Sequence, residues 1–190
     1  GKTISEDSAF MSAESENNNI SFKNMTRKTM VIRDTTIYKD PIGTVYGPYN
    51  EGAYFKVYKL EGKSNVADSC RVRHILIGTM DMATQKAKRS LPQAKKTADS
   101  VLVLIKDKKF TFDTLIKMIS DDMGSIDKGG DYGWFGEDKG FVEPFKNAGL
   151  LGKKGDLSIV ETQFGYHIIE VLDVSGTRHE SYKIAEIFKL

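Results

Sequence analysis

Ala94, Ala98, Val101, Leu102 and Ile105 recur at i, i+4, i+7, i+8 and i+11 between Pro92 and Lys108, and no other stretch commits its backbone so firmly. That spacing lays an apolar stripe along one face of an α-helix, with Pro92 suited to its first turn. A second helix is predicted from Thr111 to Ser120, where Phe112, Leu115, Ile116 and Ile119 share a face and Thr111 is placed to cap it. The run Gly129-Gly-Asp-Tyr-Gly-Trp-Phe135 holds too much glycine for a helix and predicts a turn followed by a short strand. A short helix resumes at residues 143–150. Strands are predicted at 72–77, before the helices, and at 157–160 and 166–171, after them, around a turn at 162–165. Helices between an opening strand and a closing strand pair indicate an α+β fold with an antiparallel pair at its end.

Upstream the chain changes character. Its first twenty residues are rich in Ser, Glu and Asn, which predicts weak order. Residues 29–32 are a short strand candidate, Pro41, Gly43, Gly47 and Pro48 punctuate turns, and residues 53–60 alternate apolar groups with lysine as a strand would. The polar stretch 61–69 reads as a boundary. The predicted organisation is therefore 1–66 as one β-rich piece, 67–176 as the main domain and 177–190 as a closing strand.

Charge gives no hint of a nucleic-acid partner: 28 Lys and Arg stand against 26 Asp and Glu, a net charge of +2. The single cysteine, Cys70, excludes an internal disulfide or a cysteine-rich zinc site. No run of 18 apolar residues and no charged-then-apolar leader is present, so the chain is expected neither to span a membrane nor to carry its own export signal. Its opening at Gly1, in sequence resembling the interior of a protein, leads to the expectation that it is a piece of a longer polypeptide.

Only three histidines exist. By strand alternation His74 shares a face with Val72 and Leu76, and His167 shares one with Ile169 and Val171. An imidazole on an apolar face needs hydrogen-bond partners, so each is either a satisfied core residue or part of a site. His179 lies in polar sequence and reads as solvated. His74, His167 and Asp122 lack any H-x-H or H-E-x-x-H spacing, so no metal is expected. There is no G-x-S-x-G elbow for a nucleophile and no G-x-x-x-x-G-K-[ST] cradle for a phosphate.

Five motifs occur in fixed order: Arg73-His-Ile-Leu-Ile77; Phe112-Asp-Thr-Leu115 with Ser120-Asp-Asp122; Gly129 to Phe135; Phe141-Val-Glu-Pro-Phe145; and Gly155-Asp-Leu-Ser158 with Thr162-Gln-Phe-Gly-Tyr-His-Ile-Ile169. Together they closely resemble the parvulin (PpiC, rotamase) peptidyl-prolyl cis/trans isomerases over about 105 residues. The resemblance implies a four-stranded antiparallel sheet wrapped by helices, and rotation of the amide before proline without a cofactor. It implies that His74, Asp122, Thr162 and His167 form a polar catalytic network, and that Tyr132, Phe141, Phe145 and Phe164 form a proline pocket. Tyr132 and Phe141 stand where many members have leucine and methionine. No basic cluster directly follows the first strand, so a phosphate site is not expected, and Lys86, Lys88 and Arg89 read as a solvated face. The flanks resemble the exported branch of the family, that of PpiD and SurA. This implies unfolded or partly folded clients with Xaa-Pro bonds, a periplasmic or cell-envelope location and a parent protein anchored in the inner membrane. Three readings remain: an active isomerase, a parvulin-shaped chaperone module with little turnover, or a chain in which residues 1–66 form a partner-docking domain.

Overall fold

A computed structural model describes residues 20–81 and 84–189. Of the polar lead-in, residues 1–19 lie outside the described residues. Along the chain run β1 (Ile20–Thr26), β2 (Val45–Glu51), β3 (Tyr54–Ala67), β4 (Cys70–Gly78), α1 (Leu91–Lys106) and α2 (Phe112–Ile119). After these come β5 (Asp131–Phe135), α3 (Glu143–Leu150), β6 (Leu157–Thr162), β7 (Gly165–Val174) and β8 (Arg178–Lys189). Residues 67–178 form one compact unit, and the segments before and after them form another. Among the described residues no helix is long and apolar enough to cross a membrane.

The flanking unit is a four-stranded sheet in the order β1-β8-β3-β2. Its core gathers Met25, Ile37, Tyr58, Leu60, Tyr182 and Ile184, alternate residues of their strands or neighbours of the sheet. The tail and the N-terminal segment pair as strands, β1 antiparallel to β8, which is what their alternating patterns suggest. One expectation is corrected here. Residues 29–32 are not a strand: the Thr29 amide bonds the Thr26 carbonyl at 3.1 Å and the Thr26 amide bonds the Thr29 hydroxyl at 2.9 Å, closing a turn instead. Local bonds of this kind compete with a sheet ladder. The polar run 61–69 carries strand as well, since β3 continues through it to Ala67, and the division between the two compact units falls within it, after Val66. A strand beside a neighbour needs only its inward residues to be apolar.

In the main unit the sheet order is β5-β4-β7-β6, with antiparallel neighbours throughout. Ile75 and Ile77 of β4 and Tyr166 and Ile168 of β7 turn to one face and pack on Ala94, Ala98 and Val101 of α1 and on Phe112, Leu115 and Ile116 of α2. Each large side chain so buried contributes about 1.5–3 kcal/mol. Both helices begin on caps: Ser90 and Gln93 form a reciprocal capping box with Pro92 in the first turn, and Thr111 accepts from the Thr114 amide. The opposite face carries Val72, His74, Leu76, His167, Ile169 and Val171, and α3 lies over it, with Gly149 close against Cys70 and Val72.

The two ends of this unit meet. The Asp68 amide donates to the Thr177 carbonyl at 3.1 Å, the Thr177 hydroxyl donates to the Asp68 carboxylate, and the Ser69 amide donates to Ser175 Oγ at 3.2 Å.

Candidate active site

The backbone of β4 explains how the site is assembled. β5 pairs with it only over its first residues, and the last bond on that edge runs from the His74 amide to the Gly130 carbonyl at 3.1 Å. Beyond that point the segment after α2 takes over. Asp121 N donates to the Leu76 carbonyl (2.8 Å), Leu76 N donates to Ser120 Oγ (3.2 Å) and Gly78 N donates to Asp121 Oδ2 (2.8 Å). Buried backbone groups must be paired, so these bonds stitch residues 120–122 along the strand and bring Asp122 beside His74. Gly130 makes the hand-over possible. Its φ is +75°, and a Cβ there would overlap the His74 carbonyl oxygen.

Four of the predicted residues form one chain of hydrogen bonds. Asp122 Oδ2 lies 2.8 Å from His74 Nε2, His74 Nδ1 lies 3.0 Å from His167 Nδ1, and His167 Nε2 lies 2.9 Å from Thr162 Oγ1. The imidazoles are 2% and 5% exposed. Burial alone would raise the Asp122 carboxyl, but hydrogen bonds from His74, Ser125 and Tyr132 outweigh it and hold the group well below the usual carboxylate range. Burial, with His74 beside it, pushes His167 down to about 3, so it is uncharged at neutral pH. When neither ring carries a second proton the polarity is unique. Thr162 donates to His167, His167 Nδ1–H donates to His74, and His74 Nε2–H donates to the Asp122 carboxylate.

Above this polar floor stands a cavity of about 510 Å³. Seven of the eight predicted site residues line it: His74, Asp122, Tyr132, Phe141, Phe145, Phe164 and His167. Thr162 stands behind His167, its hydroxyl also accepting from the Phe164 amide at 3.1 Å. Phe145, on the first turn of α3, is 3% exposed and presents its ring edge-on to His74 at 5.2 Å and to His167 at 5.5 Å. Phe141 packs on it at 5.4 Å. The result is an apolar concavity over a set of dipoles that is closed on itself.

The sequence reading missed Ser125, which is 1% exposed and donates its hydroxyl to Asp122 Oδ2. Its signal was a serine three residues beyond an acid in a turn. Also missed were Met123 and Gln163 on the cavity wall. Lys88 and Arg89, expected on a solvated face, both pair with Asp121, whose side chain is only 8% exposed and whose charge needs partners. His179 is half-buried on β8. Cys70 is fully buried, and its burial pushes the thiol up to about 12, so the thiol stays protonated.

A family model described as PPIC-type PPIase domain matches residues 55–175. The Chaperone SurA of Sodalis glossinidius is 32% identical over 137 residues, covering 69% of this chain and 30% of that protein. A probable parvulin-type peptidyl-prolyl cis-trans isomerase of Bordetella bronchiseptica is 42% identical over 90 residues, 46% of this chain and 34% of its own. Among solved structures, PrsA from Bacillus subtilis aligns at 35% identity and a TM-score of 0.44, over 58% of this chain and 37% of PrsA. The chain spans about a third of the length of the curated relatives it matches.

Proposed function

Because this chain belongs to the PPIC-type PPIase domain family, we propose that it is a peptidyl-prolyl cis/trans isomerase acting on Xaa-Pro segments of unfolded or partly folded polypeptides. The observation that carries this reading is the aromatic pocket set directly over the hydrogen-bonded histidine pair.

The uncatalysed barrier of about 18–20 kcal/mol comes from lost amide resonance as the C–N bond twists. A planar amide is a strong dipole and a twisted one is weaker. Phe141 and Phe145 would grip the pyrrolidine ring and keep water off the amide, so the planar form loses more solvation than the twisted form. That is differential binding of the transition state. Asp122, His74, His167 and Thr162 would supply fixed dipoles that need no reorganisation when the bond rotates. No covalent bond breaks and no cofactor is needed.

We assign the isomerase to residues 67–176, a reading supported by the compact unit 67–178. Residues 1–66 and 177–190 are then pieces of a flanking chaperone-like region. We place the parent protein in the periplasm or cell envelope, anchored in the inner membrane, on the likeness of these flanks to the exported branch. A second reading, a chaperone module with little turnover, is favoured by Met123 at 79% and Tyr132 at 42% exposure on the cavity rim, an adhesive surface for extended chains.

The test is the cis-to-trans rate of short Xaa-Pro peptides, measured by exchange NMR with native protein and with Phe145→Ala. Turnover abolished by the substitution supports the isomerase. No turnover on any peptide, with peptides still shifting resonances of the cavity residues, leaves the binding module.

A further inference from the structure

Tyr132 belongs to two sets of contacts at once. Its ring is part of the cavity wall, 5.2 Å from Phe141 and 5.4 Å from His74. Its hydroxyl leaves that apolar set and donates to Asp122 Oδ2 at 2.7 Å. The same oxygen already accepts from His74 Nε2 and from Ser125 Oγ. Those two donors are buried, at 2% and 1% exposure, whereas Tyr132 is 42% exposed.

A carboxylate oxygen offers about two lone-pair sites, so three donors compete for it. Whatever tightens one of the three bonds loosens the others. The groups facing Asp122 are His74 from β4, Ser125 from its own turn and Tyr132 from β5. His167 lies one ring farther along, and the neighbouring Asp121 carboxylate is held by Lys88 and Arg89.

We propose that Tyr132 is a positioning residue that couples occupancy of the pocket to the strength of the hydrogen bond that Asp122 accepts from the histidine pair. A ring packed on the exposed face of Tyr132 excludes water from its bond to Asp122. That bond strengthens as the local dielectric falls, draws Oδ2 away from His74 and changes the hold of Asp122 on the imidazole. The pocket thereby reports its filling to the groups beneath it. The kinetic part of this inference rests on the isomerase reading; the coupling itself does not.

Tyr132→Phe keeps the ring and removes the hydroxyl. For the variant we expect kcat on an Xaa-Pro peptide to fall about tenfold with KM unchanged, and the Asp122 carboxyl midpoint, followed by 13C NMR titration, to move upward. Saturation with the peptide should shift the His74 ring 15N resonances in the native protein and leave them in place in the variant. Tyr132→Leu, which also shortens the wall, should raise KM as well. A Tyr132→Phe protein that matches the native one in kcat, in Asp122 midpoint and in the peptide-induced His74 shift overturns the proposal. Native protein that turns over no peptide removes the isomerase reading alone. The Asp122 midpoint and the His74 shifts then decide the role of Tyr132.

Discussion

His74 and His167 meet Nδ1 to Nδ1 at 3.0 Å, although neither lies opposite the other in the strand pairing. His74 lies opposite Ile169 and His167 opposite Leu76, so the rings reach each other on the diagonal between β4 and β7. Two N–H groups cannot point at one another across that distance, so the pair shares a single proton on its facing edge. A group that sets the ring proton at either end of the chain therefore sets it for both rings.

Asp122 is that group at the β4 end. Asp122→Asn removes the charge that holds the Nε2 proton of His74. Hydrogen bonds to charged groups are worth about 1.5–3 kcal/mol, so turnover should fall about tenfold to a hundredfold. Exchange NMR on an Xaa-Pro peptide gives the rate and 15N shifts of His74 give its tautomer; an unchanged rate with an altered tautomer would show that the network is structural only.

Phe145→Ala should cost about 3–5 kcal/mol of stability, because the ring is buried against Phe135, Phe141 and both imidazoles. Phe145→Leu, which keeps most of the volume, should lose less than half of that and retain peptide binding. Urea unfolding of the two variants beside the native protein measures the difference.

Acid should loosen the fold before it reaches the carboxylates. His167 titrates at about 3 in the folded chain against 6.5 in the ordinary case, so between these values the unfolded chain binds the proton more readily. Its contribution is complete above pH 6.5 and is lost as pH falls. Between pH 7.5 and 5.5 the native protein should lose about 1.4 kcal/mol through this group. In His167→Asn that part of the loss should vanish; parallel urea-stability profiles for the two proteins would sink the assignment.

Much of this site was legible because apolar strand faces and histidines rarely coincide. His74 and His167 each fall on an alternating strand, and the register of β4 against β7 brings them together on one face. The helices α1 and α2 were legible from their stripes. Residues 29–32 misled because β-branched composition lost to hydroxyl-mediated turn bonds. Ser125 left only a faint signal, for another reason. Its role depends on a turn that exists only because residues 120–122 are stitched to β4.

Gly130→Ala tests that assembly. The substitution asks for a positive φ and places a methyl group against the His74 carbonyl oxygen, so a loss of more than about 2 kcal/mol is expected. Hydrogen exchange of the His74 amide, which donates to Gly130, should accelerate more than that of Ile168 in the core. Uniform acceleration would mean that the strain is not local.

The clasp between Asp68 and Thr177 makes residues 67–178 enter and leave through one doorway. β3 and β8 are neighbours in the flanking sheet, so the strands before and after the intervening stretch lie side by side. The entropy of closing such a stretch grows only with the logarithm of its length. Each doubling of the length of that stretch adds only about 0.6 kcal/mol to the cost of bringing β3 and β8 together.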